Sequence, residues 1–119
     1  MLFRSGPKMI IAYDQTFFYM GMEQGSRSYD WISMLGTPSE AKGYDYQLTL
    51  RGPNGDKRSY TGQVHSLEEN WKTIVKDADC FIYGAAIVKS FKNEAENHKM
   101  EVKIRRSRRQ AATSSAIAI

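Results

Sequence analysis

Three observations predict an antiparallel β-sandwich, mainly β with short helices: a strictly alternating segment at residues 44–50, a tight-turn signal behind it, and short helical crossings between the other strands. Tyr44, Tyr46, Leu48 and Leu50 alternate with Asp45, Gln47 and Thr49, the period of two of a strand with one buried face. Asn54-Gly55 suits the positive φ angles of a hairpin turn, which makes Lys57 to Thr61 the returning strand.

The other elements follow in chain order. Residues 15–23 are aromatic-rich and form a strand that ends at the turn-like Gln24-Gly25-Ser26. Tyr29 to Leu35 is a second strand, stopped by Gly36-Thr37-Pro38-Ser39. Ser66 and Glu69 have the spacing of a capping box: the hydroxyl takes an early helix amide and the carboxylate reaches back. The helix predicted from Leu67 places Leu67, Trp71, Ile74 and Val75 on one face. Cys80 to Tyr83 is a short apolar strand, and Ala85 to Lys92 has two helical turns with Ile87, Val88 and Phe91 inward. In Lys99 to Ile104, Met100, Val102 and Ile104 share a strand face. Residues 105–119 read as a disordered tail, basic at first and then Ala/Ser-rich without a period.

With 119 residues, 41% apolar and 12% aromatic, the chain can bury one core. No apolar run reaches the roughly 20 residues of a membrane span, and the first residues lack the pattern of a secretory signal. The single cysteine, Cys80, builds no disulfide framework and fits a reducing compartment. The net charge of +4 is concentrated at one end, because Lys103, Arg105, Arg106, Arg108 and Arg109 supply five of the 17 basic residues. Without them 12 basic residues face 13 acidic ones, which argues against a broad cationic surface for nucleic acid.

The order of the pieces says more than any one of them. Met34-Leu35-Gly36-Thr37, a spacer ending in Glu40-Ala41, and then Tyr44 to Leu50 resemble the strand, Gln/Glu-Ala spacer and Tyr-x-Leu-x-Leu strand of seven-in-absentia (SINA/Siah) type E3 ubiquitin ligases. Asp79-Cys80-Phe81-Ile82 is similar to that family's Asp-Cys-Leu-Val, Ile87 to Phe91 to its short Ile-x-x-x-Phe helix, and Met100 to Ile104 to its final strand. The resemblance runs over residues 17–104, with 1–16 poorly matched. It implies a TRAF-like substrate-binding domain, incomplete at its N-terminal strands, that binds protein partners or peptide strands for ubiquitin-dependent proteasomal degradation. It also implies a homodimer, or a heterodimer with a full-length relative, in the cytoplasm or reaching the nucleus through the 103–109 basic segment. Met100 and Glu101 fall on the final strand beside the family's peptide groove, with Glu101 where the family carries Asn. The family's Trp-Glu-x-Thr-Pro-Arg-Ser-Ile is here Tyr60 to Leu67, without its Glu and Arg. One Cys and two His cannot build a RING or a zinc finger. The chain is therefore expected to bind no E2 and no zinc cofactor and to carry no catalytic residue.

Other candidates compete with bland readings. Cys80 is a nucleophile paired with His65 or a small buried hydrophobe. Gly52 to Lys57 lacks the Gly-Lys-Ser/Thr of a phosphate loop, and Asp77 with Asp79 lacks the rest of a metal loop. Phe17, Phe18, Tyr19, Tyr44 and Tyr46 are core or base-stacking groups. Ser66, Glu69, Trp71 and Cys80 are the expected structural residues. A TRAF/MATH-like adaptor unrelated to ubiquitin and a basic-tail nucleic-acid binder are the alternative functions.

Overall fold

A computed structural model describes residues 2–3, 8–51, 55–84 and 99–107 of the chain. Its elements are β1 (Leu2–Phe3), β2 (Lys8–Ala12), β3 (Gln15–Gln24), β4 (Arg27–Met34), α1 (Pro38–Ala41), β5 (Tyr44–Arg51), β6 (Lys57–Gln63), β7 (His65–Ser66), α2 (Trp71–Lys76), β8 (Phe81–Gly84) and β9 (Lys99–Arg106). The expected helix at residues 85–92 lies outside the described residues.

The strands form two sheets. In the larger one β3 and β4 pair antiparallel through eight residues, with β1 and β2 on the far edge of β3 and β7 and β8 beyond β4. The smaller sheet has the order β6-β5-β9. Tyr44, Tyr46, Leu48 and Leu50 point inward as their alternation requires, at 8%, 0%, 0% and 0% exposure. Their cover comes from Phe17, Ile32, Met34, Phe81 and Tyr83 in the same core. Rings lock the two layers together. Phe17 of β3 meets Tyr44 of β5 edge-on at 5.3 Å, and Tyr60 of β6 stacks on Phe81 of β8 at 5.9 Å. The candidate base-stacking groups Phe17, Tyr44 and Tyr46 are thus core residues.

Three sequence expectations need correction. The first concerns residues 8–16, where β2 pairs with β3 from Lys8↔Tyr19 to Ala12↔Gln15. Its Ile10 and Ala12 pack against the core. The joining turn has no glycine: Tyr13 and Asp14 themselves adopt φ of 53° and 57°. A two-residue hairpin of type I′ has both central residues at positive φ, a conformation that costs a tyrosine more than a glycine.

The second concerns the helix. α2 starts at Trp71, not Leu67, and its cap is Asn70, whose side chain accepts from the Lys72 amide. Ser66 instead ends β7, paired in parallel with Met34. The Glu69 carboxylate does reach back to the Ser66 amide at 2.6 Å, and the Ser66 hydroxyl accepts from the Glu68 amide, so the capping signature closes a turn. That hydroxyl also donates to the Gly36 carbonyl, tying β7 to the loop after β4. Ile74 is buried and Trp71 and Val75 half-buried against the core, while Leu67 is exposed. A full capping box exists elsewhere, at Thr37 and Glu40 of α1. There the bonds from the Thr37 amide and hydroxyl hold the Glu40 carboxyl below its usual range.

The third concerns the C-terminal boundary. β9 continues through Arg105 and Arg106, and Ser107 is 2% exposed with its amide on the Gly43 carbonyl. Arg105 and Arg106 therefore belong to the strand that holds Lys103 rather than to a tail.

Candidate protein-binding edge

β9 is an outer strand of the smaller sheet: among the described residues, no strand lies beyond it. Residues facing each other in an antiparallel pair alternate between those that exchange both hydrogen bonds and those whose amide and carbonyl point away. Ser107 donates to Gly43 at 2.8 Å, one step beyond the Tyr44↔Arg106 pair of the β5–β9 ladder. That bond sets the phase. Arg105, Lys103 and Glu101 turn their backbone groups to Asp45, Gln47 and Thr49. Ile104, Val102 and Met100 turn theirs to the open edge.

The edge is not open along its whole length. The Tyr13 hydroxyl donates to the Ile104 carbonyl at 3.0 Å, a side chain in the place of a neighbouring strand. The left-handed turn that aims Tyr13 there also brings its ring to Tyr44 at 5.7 Å and under the Arg106 guanidinium at 5.4 Å. Among the described residues, what remains unpaired is a short template, the amides and carbonyls of Met100 and Val102, which can take an extended segment by strand addition.

Side chains frame this template on two faces. Met100, Val102 and Ile104 are half-buried at the margin of the core. Glu101, Lys103 and Arg105 are exposed on the outer face. Glu101 accepts from Arg51 at 2.7 Å, a pair about half exposed on both sides. Lys103 stands opposite the neutral Gln47, and Arg105 opposite Asp45. Of the sequence candidates, Met100 and Glu101 both lie here, Met100 offering backbone and apolar surface and Glu101 already engaged by Arg51. Val102, Lys103 and Tyr13 were missed as edge residues. Alternation says which side chains point inward, but the hydrogen-bond phase comes only from the strand partner.

Cys80 and His65 are held in packing and bonding contacts. Cys80 is 2% exposed, and burial, with Asp79 and Asp30 nearby, pushes its thiol up to about 12. His65 is committed elsewhere, with Nδ1 on the Glu69 carboxylate at 3.3 Å and Nε2 on the Asp79 carbonyl at 2.9 Å. The ring thus ties β7 to the segment after α2. Among the described residues no group of three or more His, Cys, Asp or Glu side chains is placed to hold a metal ion. Of the phosphate-like loop, residues 52–54 lie outside the described residues, and strand β6 follows it.

A family model described as Sina, TRAF-like domain matches residues 10–105, well over half of the chain. The chain belongs to this family. The Sina TRAF-like match begins inside β2 and ends inside β9, so the turn at Tyr13 and all of the edge strand but Arg106 fall within it. At family level this makes the chain a Siah-type substrate-binding domain, a protein-interaction module. No curated protein matches the chain.

Proposed function

We propose that this Sina TRAF-like domain captures partner proteins as an added strand on β9 and presents them for ubiquitin-dependent degradation. The single observation behind the reading is the outward-facing backbone of Met100 and Val102 on a strand that lacks a described neighbour. Unpaired amides and carbonyls on an edge bind extended segments through main-chain hydrogen bonds. Family membership supports the destination of the captured partner. A heterodimer of this domain with a full-length relative brings the captured partner to ligase machinery.

Val102→Pro tests the edge directly. Proline removes an amide that faces the open side, so the ladder to β5 keeps its bonds. The variant should melt within a few degrees of the wild type and lose binding to extended peptides selected on the wild-type domain. Lys103→Pro, which removes a ladder amide, should unfold more easily. Wild-type peptide affinity in Val102→Pro would refute the edge. For the degradation step, a peptide-tagged reporter should gain ubiquitin from E1, E2 and a full-length family ligase only when this chain is present.

A further inference from the structure

The charges around the open edge define what kind of strand it takes. On the outer face of the smaller sheet, cross-strand rows run Glu101–Thr49–Ser59, Lys103–Gln47–Thr61 and Arg105–Asp45–Gln63. In the first row Glu101 is held by Arg51 of the neighbouring row at 2.7 Å, and Thr49 is bonded to Ser59 at 3.0 Å. In the third, Arg105 has Asp45 opposite. The middle row contains a cation and two neutral side chains, and among the described residues Lys103 has no ion-pair partner. An added strand lies about 4.8 Å from β9, and its residue opposite Lys103 falls within cross-strand contact. Opposite Met100 and Val102, by contrast, an incoming side chain points to the half-buried margin of the core, where an unpaired polar group is penalised.

Register is fixed as well. The Ile104 carbonyl is occupied by Tyr13, so among the described residues backbone pairing is available at Met100 and Val102 and ends toward Ile104. A strand running antiparallel to β9 meets Lys103, Val102, Glu101 and Met100 in that order. We infer that the edge selects a segment with an acidic residue opposite Lys103 and apolar residues opposite Val102 and Met100: acidic, apolar, any, apolar. This rests on the strand-addition reading of β9 and adds to it a choice among partners. Like charges directly opposite each other are disfavoured about as much as opposite charges are favoured, so an acid and a lysine at the first position should differ roughly three- to tenfold in Kd.

The test uses two fluorescent peptides that carry Glu-Val-Thr-Val or Lys-Val-Thr-Val in the same Ser/Gly flanks, titrated with the full chain. The Glu peptide should bind about three- to tenfold more tightly at low salt, and the gap should narrow as salt screens the pair. Lys103→Glu should reverse the order, and Lys103→Gln should remove it, both with unchanged melting. Val102→Pro should abolish both interactions. Equal affinities that remain sensitive to Val102→Pro would overturn the charge selection and leave strand addition standing. Binding insensitive to Val102→Pro, or no binding of either peptide, would overturn both.

Discussion

Tyr46→Phe should make this protein more stable. Among the described residues, the Tyr46 hydroxyl is a buried side-chain oxygen with no hydrogen-bond partner, on a residue at 0% exposure. Burial, and then the neighbouring Tyr60, raise its pKa, so it stays protonated and keeps an unused donor. An unsatisfied buried polar group costs about 1–3 kcal/mol, and replacing it by an apolar surface of the same shape recovers part of that cost. The expected gain is about 1 kcal/mol, or roughly 4 °C in Tm for a domain of this size. Gly62 offers an internal control. A Cβ there would meet the Tyr60 ring at 2.9 Å and the Tyr46 oxygen at 3.2 Å, so Gly62→Ala should cost about 1–3 kcal/mol by overpacking. In the double variant one of those contacts disappears, and the penalty of the alanine should shrink measurably. Urea melts of the four proteins give all the required differences. A loss of stability in Tyr46→Phe would show that the hydroxyl has a partner, and that the tight approach of Gly62 does not isolate it.

Asn70→Ala should cost about 1 kcal/mol by uncapping α2, and Ser66→Ala more, about 1–3, because the Gly36 carbonyl and Glu68 amide both lose a partner. The reverse order in denaturant melts would return the helix start to Ser66. Arg51→Ala or Glu101→Ala should change stability by no more than about 1 kcal/mol, since both partners are half exposed. Above pH 9 the protein should weaken. The Cys80 thiol is raised from 9.0 to about 12 in the fold, so the unfolded chain ionises first and stability falls between those two values. Each such group contributes a slope of about 1.4 kcal/mol per pH unit. Cys80→Ala should flatten the alkaline limb, and an unchanged limb would exclude the thiol.

Strands with one buried face were visible in the sequence, because Tyr44 to Leu50 and Met100 to Ile104 alternate without interruption and the observed inward faces are the same ones. Gly25, at φ +60°, likewise marks the turn its sequence implied. β2 was hidden for the opposite reason. Its turn uses Tyr13 and Asp14 where a glycine would have announced it, and Met9 and Ile11 face outward at 64% and 65% exposure, so the strand has no inside/outside contrast. Ser66 and Glu69 misled because the same reciprocal bonds that cap a helix can close a turn. Here β7 needs Ser66 in extended backbone beside Met34. Of the candidate edge, the strand that carries Met100 and Glu101 was legible from its alternation, but the Tyr13 contact spans 91 positions and no local pattern encodes it.

β5 is the middle strand of its sheet, and its two neighbours arrive at very different times during synthesis. β6 follows at once through the turn at Gly55, whereas β9 begins only after the 47 residues that separate Arg51 from Lys99. At roughly 5–20 residues per second, a ribosome needs about 2–10 s to cover that distance. Throughout that interval one flank of the strand that carries the buried Tyr44, Tyr46, Leu48 and Leu50 is without its mate. The nascent chain thus passes through a stage when a chaperone, or another polypeptide emerging nearby, can compete for the seat that β9 will occupy.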